Sequence, residues 1–194
     1  RYGRFGREEE AGREQFVRDL HDTVELLRNT VSLAVWVPFN EGWGQFDSLL
    51  ATQMLWEQDP TRLVDHASGW HDQGGGDFKS RHVYFRPVRL KHDKSRILAL
   101  TEFGGYSLPV PGHTAGDKPF GYRMYQSAGE YMDALARLYE QEIIPCLDKQ
   151  ALSAAVYTQV SDVEDEVNGI LTFDRKSCKV DVPRMQRING RLRF

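Results

Sequence analysis

The sequence predicts an α/β fold, organised as part of a (β/α)8 TIM barrel, and three observations lead there. Strand-like apolar runs alternate with amphipathic helical segments, the pattern of a parallel sheet covered by helices. Each strand candidate ends in groups able to do chemistry: Asn40 and Glu41, Asp65 and His66, Tyr84, Glu102, then Gln159, Asp162 and Glu164. A barrel gathers its active site from the C-terminal ends of several strands. An open doubly wound sheet uses one switch point, commonly with a glycine-rich phosphate turn. No GxGxxG follows a strand candidate here, so the barrel is preferred.

The elements follow in order. Residues 14–30 carry Phe16, Val17, Leu20, Val24 and Leu27 at spacings of three and four, which predicts an amphipathic helix. "VSLAVWVPF" has no alternation and predicts a strand over 32–38, buried on both faces. A second helix is expected within 46–60, with Asp47 as its N-cap and Pro60 just past its end. A short strand at 62–65 leads into the glycine-rich loop "GWHDQGGGDF". Further strands are expected at 82–85 and 97–101, followed by a long loop rich in Gly and Pro. Ser127 and Glu130 form a capping box at the start of a helix running to Pro145. A last strand at 152–158 and a short helix in "VPRMQRING" complete the chain.

Five strands fall short of the eight strands and about 250 residues of a whole barrel. The expectation is a single domain over residues 1–194, the C-terminal portion of a barrel, covering about strands four to eight with their helices. Hydrophobic residues at 40% and charged residues at 27% are ordinary for a soluble globular protein. A net charge of −3 gives no case for a nucleic-acid partner or an anionic membrane surface. There is no apolar run long enough to span a bilayer, and the N-terminal stretch is too charged for a signal peptide. Cys146 and Cys178 read as two free thiols rather than a disulfide framework. No cofactor is expected.

"VWVPFNEGWGQ" and "LTEFGG" share one logic: an apolar strand delivers a glutamate, and glycines follow. Two such carboxylates at one barrel mouth are what retaining glycoside hydrolysis needs. One gives a proton to the leaving oxygen, the other attacks the anomeric carbon, and they should sit ~5–5.5 Å apart. Burial can raise the pKa of the proton donor, and Trp43 supplies an apolar face for a pyranose ring.

"NEGWGQFD", "LTEFGGY" and "YTQVSDVEDEVNGILTFDR", in this order, resemble the catalytic domain of family 2 glycoside hydrolases. That group holds β-galactosidases, β-glucuronidases and β-mannosidases, and the resemblance covers nearly the whole chain. It implies that Glu41, at the end of the fourth barrel strand, is the acid/base. It implies that Glu102, at the end of the seventh, is the nucleophile. Asn40 would hydrogen-bond the 2-hydroxyl of the sugar under attack, and "AAVYTQVSDVE" would be the eighth strand. The expected partner is a β-linked glycoside. Family members usually carry β-sandwich domains before the barrel, so those domains and the first barrel strands are expected in the full-length protein.

Other polar residues admit blander roles. His66, His71, Asp72, Asp77 and His82 match no tight zinc spacing, so no metal is expected. His66, Trp70 and His71 are instead expected as sugar contacts in a cleft loop. Tyr84 is counted with them. "GGGDFKS" lacks the GxxxxGK[ST] of a phosphate loop. Tyr157 and Gln159 alternate on the last strand and are expected to face the barrel interior near its mouth. Glu164 is either a cleft residue or a structural partner of Arg175, while Asp165 and Glu166 read as a solvated loop. Ser107 and His113 lack the G-x-S-x-G elbow of a serine hydrolase. The alternative to a retaining β-glycosidase is a carbohydrate-binding or scaffold remnant without turnover.

Overall fold

A computed structural model describes residues 6–193. The chain divides into two compact units. The first takes the chain up to His82 and returns at Asp93–Ala99; the second takes Val83–His92 and everything from Leu100 onward. No helix among the described residues is long and apolar enough to cross a membrane.

In the first unit, α1 (Glu10–Leu27) turns Val24 fully inward, where it meets Trp36, Leu55 and Val64. Each such aliphatic burial contributes about 1.5–3 kcal/mol. The expected strand over 32–38 is short: β1 (Val35–Trp36) pairs in parallel with β2 (Leu63–Val64). Pro38 has no N–H for a ladder, and Val37 is 50% exposed, so this stretch is not buried on both faces. Between them runs α2 (Ser48–Gln58). Asp47 holds its N-cap position but in a left-handed conformation, and its side chain makes no capping bond. The indole of Trp36 donates to Asp59 Oδ2 at 3.0 Å, which fixes that ring against the core.

The next strand, β3, spans Phe78–Val83, earlier than the 82–85 expected. Its inward positions include Ser80 and His82, and polar residues facing inward hid the period-two signal. β4 (Ile97–Gly104) lies between β3 and β7 (Leu152–Thr158) and carries Glu102 within the strand rather than beyond it. Both β3 and β4 run from the first unit into the second.

The second unit buries Leu100, Phe103, Tyr131, Leu135 and Ile143. Phe103 meets Tyr139 and Tyr157 edge-on, with ring centroids 5.6 Å apart in each pair. The long loop contains a parallel pair that the sequence did not announce, β5 (Tyr106–Ser107) with β6 (Arg123–Met124). Ser127 caps α3 (Ala128–Arg137) by accepting from the Glu130 N–H at 3.2 Å. The expected single helix to Pro145 is three pieces: α3, a π-helical turn over Leu138–Ile143, and α4 (Ile144–Gln150). Pro145 falls in the first turn of α4, where a missing N–H is tolerated. Asp181 caps α5 (Val182–Asn189) through the Arg184 N–H at 2.8 Å.

The five-strand part of a barrel expected from the sequence is not shown among the described residues. The strands form three small, unclosed sheets of two, three and two strands.

Candidate active site

Glu41 follows β1 on a tight backbone turn. Its N–H donates to the Ser68 carbonyl at 2.9 Å, and the Ser68 N–H donates to the Phe39 carbonyl at 2.8 Å. The Trp43 N–H closes the turn onto the Asn40 carbonyl at 3.1 Å. These bonds hold Glu41 at φ 55°, a conformation that costs a non-glycine residue free energy and so needs surrounding support. Its side chain is only 17% exposed, and Oε1 lies 2.7 Å from His82 Nδ1. The other imidazole nitrogen, Nε2, lies 3.1 Å from Ser68 Oγ. Gly69, at φ 83°, gives the His82 ring its room, since a Cβ there would collide with it.

Around this turn, Trp43 and Trp70 stand exposed, and His71 covers Gly42. Asn40 is exposed and pairs with Ser68 in an isolated bridge. His66 is buried, and its Nε2 accepts the Gln73 N–H at 2.9 Å. Burial pushes its imidazole below its usual range, against the pull of Asp72. Asp72 is forked by Arg96 at 2.7 and 2.8 Å, and this bonding holds its carboxyl at about 2. Asp77 accepts the Val64 N–H at 2.7 Å. The acidic groups of the glycine-rich loop are therefore committed to framing it.

In the second unit, Glu102 Oε2 accepts a hydrogen bond from the Tyr84 hydroxyl. Thr158 Oγ1 lies 3.2 Å from the same phenol oxygen. Burial, reinforced by the bond to Glu102, drives the Tyr84 phenol well above its usual range, so it keeps its proton. Tyr84 stacks on Tyr122 with centroids 4.1 Å apart, and a Cβ on Gly105 (φ 59°) would collide with the Tyr122 ring.

Tyr157 is half-buried, its hydroxyl 3.4 Å from the Tyr106 carbonyl, and burial pushes its phenol well up. Gln159 donates to Asn168 Oδ1 at 2.7 Å and to Glu166 Oε2 at 3.3 Å. Gln159 and Glu164 line a cleft of about 460 Å³ together with Phe120. Glu166, expected as a solvated loop residue, is half-buried and belongs to this polar cluster. Asp162 pairs with buried Lys179 at 2.7 Å and also accepts the Gly169 N–H. It is a structural group.

The first unit thus brings Asn40, Glu41, Trp43 and His71 to one turn, and the second brings Tyr84 to Glu102. Ser68 and His82 were not recognised as partners of Glu41. The usable signal was the inward alternation of Ser80 and His82 on one strand, together with Gly69 opposite.

No protein-family model matches the chain, and no curated protein matches it by sequence. Among solved structures, a β-glucuronidase from Faecalibacterium prausnitzii is similar, with a TM-score of 0.57 at 15% identity, over 91% of this chain and 35% of that one. An FMN-binding β-glucuronidase from Faecalibacterium prausnitzii L2-6 is similar at the same TM-score of 0.57 and 15% identity, over 88% of this chain and 31% of that one. The chain therefore spans about a third of the length of each. At this identity the likeness is one of fold: a mixed α/β chain with small parallel sheets that resembles part of a glycosidase.

Proposed function

We propose that the chain is the C-terminal portion of a family 2 glycoside hydrolase TIM barrel and supplies both catalytic carboxylates of a retaining β-glycosidase. The supporting observation is the unlike partner of each glutamate. Glu102 is bonded by a phenol that keeps its proton, which suits a carboxylate that must stay ionised to attack. Glu41 is bonded by an imidazole, and an N–H from that ring serves the protonated and ionised carboxyl alike.

In the first step Glu102 attacks the anomeric carbon as Glu41 passes its proton to the leaving oxygen, and the glycosidic electron pair departs with that oxygen. In the second, Glu41 as carboxylate takes a proton from water. The water attacks the anomeric carbon and the bond to Glu102 breaks, so configuration is retained. Asn40 binds the 2-hydroxyl, Trp43 and Trp70 offer apolar faces, and Tyr157, Gln159 and Glu164 line the sugar site with His71. His66 acts from beneath its loop. The first barrel strands and β-sandwich domains lie elsewhere in the full-length protein.

The substrate is a β-linked glycoside, and a β-glucuronide is the first to try because both structural neighbours are β-glucuronidases. The test is hydrolysis of a panel of nitrophenyl β-glycosides by the full-length protein, with product configuration read by proton NMR. Turnover with retention is expected. Binding without turnover on every member would instead favour a carbohydrate-binding remnant.

A further inference from the structure

Behind Glu41 lies a row of buried polar side chains that the mechanism above does not use. His82 joins Glu41 Oε1 to Ser68 Oγ, and Ser68 also hydrogen-bonds the Asp65 carboxyl. The three are almost fully enclosed, with Asp65 only 1% exposed. Asp65 Oδ1 accepts from Ser80 Oγ at 2.8 Å, and Oδ2 is buried with no hydrogen-bond partner among the described residues. An ionised carboxyl with an orphaned oxygen is costly away from water. Burial accordingly pushes Asp65 above its usual range, towards the protonated form. Ser68 also holds Glu41 a second time, through its backbone carbonyl.

We propose that Asp65, Ser68 and His82 form a buried hydrogen-bonded row that pins Glu41 Oε1 and reserves Oε2 for proton exchange with the substrate. The row follows from its contacts. Ser68 hydrogen-bonds the buried Asp65 carboxyl, and Ser68 Oγ lies 3.1 Å from His82 Nε2. His82 Nδ1 in turn lies 2.7 Å from Glu41 Oε1, where a ring N–H donates to it. That bond is kept when Oε2 carries a proton, and it strengthens when Oε2 has released it, because a donor to a carboxylate is stronger than one to a neutral carboxyl. No proton moves along the row during turnover. His82, Ser68 and Asp65 are positioning residues, not catalytic ones.

This inference rests on Glu41 being the acid/base. Its test uses the full-length protein and a series of aryl β-glycosides running from dinitrophenyl to phenyl. Ser68→Ala should lower kcat on the phenyl glycoside on the order of tenfold or more, the weight of a hydrogen bond to a charged group. On the dinitrophenyl glycoside, which needs little protonation, it should change kcat far less. Ser68→Cys, nearly the same volume with a weak donor, should give the same pattern if the alanine variant folds poorly. Asp65→Asn, which keeps a hydrogen-bonding group of the same shape toward Ser68, should lose less than Asp65→Ala. Equal losses on both substrates, or none on either, would overturn the row. Glu41→Ala separates the two levels. If it fails to steepen the leaving-group dependence, the acid/base reading falls; if it steepens the dependence and Ser68→Ala does not, only the row falls.

Discussion

Glu41 sits on a left-handed backbone turn and meets an imidazole, whereas Glu102 sits within the regular strand β4 and meets a phenol. The first arrangement is assembled from side chains far apart in sequence and backed by further buried polar groups. The second uses a fixed donor behind a rigid strand. An acid/base has to hold two protonation states in one geometry, and a ring N–H can bond both. A nucleophile has one working state, and a phenol that never ionises protects it. The roles proposed for these two residues of the same type rest on this difference in surroundings.

The sharpest way to break this comparison is to remove each carboxylate in turn. Glu102→Gly should abolish turnover on every substrate, by on the order of 10⁴-fold or more, because no covalent intermediate can form. Added azide should then give the α-azide. Glu41→Ala should cost roughly 10²–10⁴-fold on poor leaving groups and little on the first step with a dinitrophenyl glycoside. Azide should restore its turnover as the β-azide. Proton NMR of the two azides reads both assignments, and reversed configurations would exchange the roles.

A smaller effect sharpens the phenol side. Tyr84→Phe removes the donor to Glu102 and keeps the ring on Tyr122, so kcat/KM should fall roughly 10- to 100-fold, as for a hydrogen bond to a charged group. An unchanged kcat/KM would mean that the phenol does nothing for the nucleophile.

The smallest effect concerns the frame beside Glu41. Asp72 titrates at about 2 in the fold against 3.8 ordinarily, because Arg96 binds its ionised form. A depressed carboxyl stabilises the fold above pH ~4, and that contribution is lost as pH falls through about 2. The difference amounts to about 2 kcal/mol. Denaturant titrations at pH 7 and pH 2.5 should show the native protein losing more stability than Asp72→Asn. An equal loss in both would remove Arg96 from the account.

Much of the local structure was legible because it depends on neighbours in sequence. The apolar spacing of α1, the Ser127 cap, and the delivery of Glu41 and Glu102 by apolar runs all follow from periods and turn chemistry. Boundaries slipped where inward positions were polar, as on β3, or where the ladder changed type, as in the π-helical turn before Pro145. The partial barrel expected from the same apolar runs is not shown, and the described strands form separate small sheets.

The sequence by itself singled out the two carboxylates proposed as catalytic, as glutamates that end apolar runs and precede glycines. Only the tertiary structure decided what each carboxylate touches. Glu41 and His82 stand 41 positions apart, and Tyr84 and Thr158 stand 74 apart. No local period encodes such pairings, because they are fixed by strand register and by glycines that make room for a ring. The same reason turns Asp65, a strand-end group in sequence, and Ser68 into the buried backing of Glu41.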